Sequence, residues 1–257
     1  MFNQCAPVYE QHAGVSQEIG ERLIERLDYF KLEPHYILDL GCALGFFSKA
    51  LRKRYPKAVI VSVDIAWLMA QACQKRQRFL KRWPVVCADM HRLPFQNKQF
   101  DLIFMNQVLQ WSVSVDTVLQ ELYRVLRPQG CLMFSMLGPD TYQELRALPD
   151  ISVKVPLTDM HHIGDAMMDV GFDDPVLDME MLTVRYRRFE TLCDALKTQG
   201  VFVPSSSETK QLLRQEDERY PVTFEVIYGH GWRTADRQKT VGHETFIPLD
   251  SIVKKSS

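Results

Sequence analysis

Apolar positions along the first half of the chain recur in two alternating rhythms. From Ser16 to Phe30, Ile19, Leu23, Ile24 and Leu27 share one face at helical spacing. Short, nearly continuous apolar runs then take turns with helical ones. The strand-like runs are Tyr36–Leu40, Ala58–Val63, Val85–Ala88, Asp101–Met105 and Cys131–Met136; the helical ones are Phe46–Tyr55, Ala66–Leu80 and Val115–Leu126. Strand–helix alternation at this spacing predicts βαβ units, hence a parallel sheet covered by helices on both faces. In "LRPQG", Arg127 is expected in the last helical turn, with Pro128 ending the helix and Gly130 turning the chain into the next strand.

After Met136 the rhythm changes. "LGPDTYQELR" reads as a loop entering a short helix. "TDMHHIGDAMMDVGF" reads as another helix, with Thr158 or Asp159 as N-cap and Gly171 as its stop. "PVLDMEMLTVRYR" and "VTFEVIYGHGW" are strand-like and fit an antiparallel sheet edge. Between them Phe189–Tyr220 reads as helical and polar, broken at "PSSSE", a lid or insertion packed on the core. So short a segment alone buries little apolar surface. One domain over 1–257 is therefore expected: an N-terminal helical lid (1–34), a cofactor-binding core (35–136), substrate-side segments with the insertion (137–220), and a C-terminal strand and tail (221–257).

Composition narrows the function. With 257 residues and 46% hydrophobic content, the chain can fill one core, and a formal charge of -1 gives no global field to recruit nucleic acid or a membrane surface. "MFNQCAPVYE" lacks the basic-then-apolar order of a signal peptide. The most apolar window, Ala58 to Ala72, is interrupted by Asp64 and too short to span a bilayer. The six cysteines (Cys5, Cys42, Cys73, Cys87, Cys131, Cys193) form no C-x-x-C pair, which fits a reduced, cytosolic setting.

The chemistry gathers at strand ends. "ILDLGCALG" carries Asp39, Gly41 and Gly45 at the close of the first strand of the alternating unit, where open parallel sheets bind ligands. Dinucleotide folds place pyrophosphate on such a loop, but here an acid precedes the glycines and favours a cationic group, an ammonium or a sulfonium. Asp64 ends the next strand, about twenty residues on, where an acid takes ribose hydroxyls. Asp89 ends the third, suited to accept from an exocyclic adenine amine while Met90 covers the base. Each acid alone would read as a helix cap or turn residue. Three on successive strand ends describe a nucleoside with a charged amino-acid tail, as in S-adenosylmethionine.

"ILDLGCALG", "VDIA", "ADMHRLPFQNKQFDLI" and "LRPQGCLMFS" resemble the successive motifs of class I S-adenosylmethionine-dependent methyltransferases, over Tyr36 to Met136. Ala43 stands where that family usually has a glycine. The flanks "VYEQHAGVSQEIGERLIERL", "FMNQVLQWS", "GPDTYQELR", "HHIGDAMMDVGF", "LTVRYR" and "TFEVIYGHGW" resemble the malonyl-acyl carrier protein O-methyltransferases of biotin synthesis. A family of protein-arginine hydroxylases that act in complex I assembly shares the "DT-x-x-ELR" and "GW" elements, and a non-catalytic binding module on the same fold is a third reading. Likeness of fold does not separate these chemistries.

The resemblance implies a Rossmann-like fold with a mostly parallel seven-stranded sheet and an antiparallel edge. It implies S-adenosylmethionine as cofactor, held by Asp39, Gly41, Ala43, Gly45, Asp64, Ile65, Asp89, Met90 and Asn106. It implies methyl transfer to the carboxylate of a malonyl thioester on acyl carrier protein or coenzyme A. Tyr9 and Arg146 are the candidate catalytic clamp for that carboxylate, and His12 and Trp111 the candidate substrate contacts. The carrier is a small acidic protein, so the basic clusters Lys75, Arg76, Arg78, Lys81, Arg82 and Arg185 to Arg188 are its candidate docking patches. His161 and His162 are adjacent, point to different helix faces, and make a poor metal pair; no metal is expected.

Overall fold

The computed structural model describes residues 3, 9–77, 82–146, 148, 151–153, 155–203, 207–215 and 217–235. A short α1 (Tyr9–His12) and a longer α2 (Gly14–Arg26) precede the alternating unit. That unit runs β1 (Tyr36–Leu40), α3 (Phe46–Arg54), β2 (Val59–Asp64), α4 (Trp67–Lys75), β3 (Val85–Cys87), β4 (Phe100–Asn106), α5 (Val115–Val125) and β5 (Leu126–Leu137). Then come α6 (Gln143–Arg146), β6 (Ser152–Val153), α7 (Met160–Val170), β7 (Phe172–Tyr186), α8 (Phe189–Thr198), β8 (Val201–Phe202), α9 (Ser207–Leu213) and β9 (Tyr220–Arg233).

Seven strands form one sheet in the order β3-β2-β1-β4-β5-β9-β7. The five strands of the alternating unit pair in parallel, while β9 runs antiparallel between β5 and β7. The chain moves one way along the sheet from β1 to β3 and the other way from β4 to β5, so the strand order reverses between β1 and β4. That reversal opens a crevice at the carboxyl ends of those two strands.

Successive strand residues feed opposite faces of the sheet. Ile37, Phe104, Met133 and Val226 join a core with Ile19, Leu23 and Leu27 of α2 and Leu51 of α3. Their neighbours Leu38, Ile103, Phe134 and Ile227 join a second core with Val118 and Leu122 of α5 and Met167 of α7. Double-sided burial explains the continuous apolar runs. Each large side chain so buried contributes about 1.5–3 kcal/mol. The glycines of "YGHGW" make room within β9. A Cβ on Gly229 would collide with the Phe134 ring, and one on Gly231 would lie 2.6 Å from Met167 Cε.

Several local expectations are refined. Asp159, not Thr158, caps α7 by accepting from the His161 backbone N–H at 2.8 Å, and Gly171 closes it at φ 101°. Helix α5 ends at Val125, so Arg127 is not in its last turn: a residue before proline is driven to extended angles. Arg127 instead donates to Asp101 at 2.8 Å, and Gln129, at φ 63°, makes the turn expected of Gly130. Residues 127–130 bulge out of the pairing between β4 and β5. Helix α4 stops at Lys75, short of Leu80, and the Gln77 amide then holds the Trp83 backbone; Arg78 and Lys81 lie outside the described residues. The 189–220 segment is not polar throughout: α8 buries Phe189, Leu192 and Leu196 in the α2 core, and its continuation β8 pairs antiparallel with β6.

Candidate active site

The three acids stand as the strand reading placed them, at the ends of β1, β2 and just past β3, but in unlike surroundings. Asp39 is buried beneath the glycine loop. Its carboxyl accepts from the Ser48 hydroxyl, which shares a 2.7 Å hydrogen bond with Ser62; Ser62 in turn accepts from the Trp83 indole at 2.7 Å. Burial pushes Asp39 up to about 7, and the nearby Asp64 pushes the same way, against the Ser48 hydrogen bond. Asp64 is also raised by burial, although its two oxygens accept from the Ala43 and Ala66 backbone N–H groups at 2.8 Å each. It thereby ties the loop after β1 to the start of α4. Asp89 is exposed, and the His91 backbone N–H and ring hold it below the usual carboxylate range.

The loop itself is bent by left-handed residues: Gly41 at φ 75°, Ala43 at φ 45° and Gly45 at φ 78°. Alanine in this region costs roughly 1–2 kcal/mol, and the bond from its N–H to Asp64 offsets that cost. Its angle accounts for the glycine usual at this position.

Above the loop lies a cleft of about 690 Å³ at the carboxyl ends of β1 to β4, a volume suited to a small-molecule ligand. Gly41, Ala43, Asp64, Ile65, Asp89, Met90, Asn106 and Trp111 line it, and Tyr9 closes it from α1. Asn106 is also structural: its amide donates to Ser16 O at 2.8 Å and its oxygen accepts from Ser135, pinning α2 to the tip of β4. Four expected residues are not in this wall. Asp39 lies beneath it, buried. Gly45 is buried at the start of α3, where a Cβ would meet Cys73 Sγ at 2.5 Å. His12 is half-buried at the end of α1. Arg146 is exposed, and its guanidinium donates to the Pro139 carbonyl. The segment around it braces the sheet, since Glu144 accepts from the Thr223 backbone N–H at 2.9 Å and Thr141 bonds the Glu225 backbone.

Residues 38–134 match the family model described as "Methyltransferase domain". Malonyl-[acyl-carrier protein] O-methyltransferase of Legionella pneumophila is 44% identical over 99% of this chain and 96% of its own length. The chain belongs to the malonyl-[acyl-carrier protein] O-methyltransferase family. A further member, from Halorhodospira halophila, is 37% identical over 90% of this chain and 85% of its own. Among solved structures, phosphoethanolamine N-methyltransferase 2 of Haemonchus contortus, in complex with S-adenosyl-L-methionine, superimposes with a TM-score of 0.61 at 16% identity, covering 90% of this chain and 57% of that one. The class I methyltransferase fold expected from the strand motifs is thus the observed one.

The cleft region contains polar groups that sequence reasoning did not single out. His91 bridges Asp89 at 2.6 Å and the Ser112 hydroxyl at 3.0 Å, joining the loops after β3 and β4. Its place two residues after Asp89 was the available signal. Gln107 and Gln199 also line the cleft; they lie far apart in the chain, and nothing local in the sequence pairs them. Among the described residues, no lysine or arginine lines the cleft, no group of three potential metal ligands comes together, and no helix is long and apolar enough to cross a membrane.

Proposed function

We propose that the protein transfers the methyl group of S-adenosylmethionine to the free carboxylate of malonyl-acyl carrier protein, in early biotin synthesis. Family membership over nearly the whole chain carries this reading, and the cleft chemistry supports it. S-adenosylmethionine, when bound, supplies an electrophilic methyl on a cationic sulfonium. Gly41 and Ala43 would let its tail approach backbone, Asp64 would accept from the ribose hydroxyls, and Asp89 with Met90 would receive the adenine. Asp39 fits a cationic ligand through its field: a buried carboxyl titrating near 7 is held ionised by a positive charge close above it.

A malonyl carboxylate is already ionised at neutral pH, so the site needs no general base. One oxygen–carbon bond forms, one sulfur–carbon bond breaks, and no proton moves. The task of the protein is to hold the carboxylate oxygen in line with the methyl, about 3–3.5 Å away, and to keep water out. Tyr9 and Trp111 are the proposed walls for the acyl part. Arg146 and His12, outside the cleft wall, are assigned to the approach of the substrate. The exposed Lys75 and Arg82, with Arg185, Arg187 and Arg188, are the proposed contacts for the acidic carrier; Arg76 is paired with Glu10 at 2.5 Å.

Mass spectrometry of malonyl-acyl carrier protein incubated with protein and cofactor tests the reading. Gain of one methyl, lost in Asp64→Ala, is the expected result; no gain by the intact protein overturns it. Lys75→Glu with Arg82→Glu should slow reaction of the carrier-bound substrate and spare malonyl-coenzyme A. Equal loss on both would remove the docking role.

A further inference from the structure

A carboxylate substrate needs donors, and the cleft holds no lysine or arginine among its described lining residues. The two ring nitrogens of His91 are already engaged by Asp89 and Ser112. Among the polar side chains that line it, two primary amides stand out. The Nε2 atoms of Gln107 and Gln199 are both buried and both without a hydrogen-bond partner, and both residues line the cleft. A buried amide N–H left unpaired forfeits its hydration without return, so native proteins rarely keep one except where a ligand completes it.

Each residue is anchored, Gln199 through its side chain and Gln107 through its backbone. Gln199 follows the end of α8, and its Oε1 accepts from the Tyr142 hydroxyl at 2.7 Å. Tyr142 is fully buried against Phe224, and burial raises its hydroxyl so that it stays a donor. The oxygen end of the Gln199 amide is thereby fixed, leaving its nitrogen end for the cleft. Gln107 sits just past β4 at φ 57°, a left-handed angle unfavourable for glutamine. Its backbone N–H is held there by the Ser135 carbonyl at 2.9 Å and hydroxyl at 3.1 Å. Strain maintained by surrounding bonds is common where a side chain must be aimed at a ligand.

We propose that the amides of Gln107 and Gln199 receive the carboxylate that is to be methylated. The assignment rests on the proposed reaction and specifies its anion-binding groups. Neutral donors suit the chemistry: they orient a carboxylate without the strong ion pair that would dull its oxygen as a nucleophile. The other carboxylate that could occupy them is the one on the amino-acid tail of the methyl donor, and the test separates the two.

Three variants are made: Gln107→Leu, Gln199→Glu, and Gln199→Leu combined with Tyr142→Phe so that no hydroxyl is left unpaired. The KM for malonyl-acyl carrier protein is measured alongside the calorimetric Kd for S-adenosylhomocysteine. The expected result is a KM raised roughly ten- to a hundredfold in each, the range for hydrogen bonds to a charged group, with the largest effect in Gln199→Glu and a Kd within twofold of the parent. A weakened Kd with KM unchanged would assign the amides to the cofactor tail and overturn the proposal, as would no change in either. Failure of the parent protein to methylate would sink the reaction itself, a result separate from these.

Discussion

Replacing Asp39 with asparagine should make the unliganded protein more stable while impairing its response to cofactor. The carboxyl titrates near 7 in the fold instead of at 3.8, chiefly because it is buried. The unfolded chain releases this proton around pH 4, whereas the native protein keeps it until about 7. Between those values the native state binds more protons, so stability falls as pH rises, and the loss is complete above 7. At 1.36 kcal/mol per pH unit the gap amounts to about 4 kcal/mol. Asparagine keeps the shape of the side chain and carries no charge. The stability difference between Asp39→Asn and the parent should therefore be near zero at pH 4 and grow to a few kcal/mol at pH 8.5, roughly 10 °C in Tm for a chain of this size. Thermal unfolding across pH 4 to 9, with and without S-adenosylmethionine, measures it. The ligand should raise the Tm of the parent much more than that of the variant at pH 8.5. A difference that stays flat with pH, or a variant less stable at pH 8.5, would refute the reasoning.

Three smaller perturbations probe the loop and its supports. Ala43→Gly relieves a left-handed alanine and should stabilise the fold by about 0.5–1 kcal/mol in denaturant titration; a loss would mean that the methyl group packs usefully. Gly41→Ala places a Cβ into Val108 at φ 75° and should cost more than 1 kcal/mol and weaken cofactor binding; adding Val108→Ala should restore part of both, and full independence of the two changes would rule out the clash. Glu144→Gln should lower stability by about 1 kcal/mol through its weakened hold on Thr223, leaving the Kd for S-adenosylhomocysteine unchanged.

Much of the architecture was legible because local and global preferences agree. Double-sided burial wrote Leu102 to Met105 as an unbroken apolar run and Ile37 to Leu40 as one broken only by Asp39, and cap chemistry marked Asp159 and Gly171. The strand ends then brought Gly41, Asp64 and Asp89 to one cleft. Where contacts span long stretches of chain, the reading stopped short. Nothing local to Tyr220–Arg233 says that it lies between β5 and β7. The direction of a side chain was equally hidden: Asp39 and Leu40 are neighbours in β1, yet Leu40 reaches the cleft and Asp39 turns beneath it. Arg146 suggested a carboxylate clamp by residue type alone, and the turn of α6 sends its guanidinium to Pro139 instead. Gln199 was obscured because its worth depends on Tyr142, fifty-seven positions earlier.

The placement of β9 bears on how the protein is made. Strand β7 has no other neighbour in the sheet, and the exposed side of β5 has none either until β9 arrives. On the ribosome, six strands of this sheet emerge before the one that closes the gap, leaving two long edges with unpaired backbone groups, open to other chains. Damage to Tyr220–Arg233 should therefore yield insoluble protein more readily than damage of equal size at the cleft.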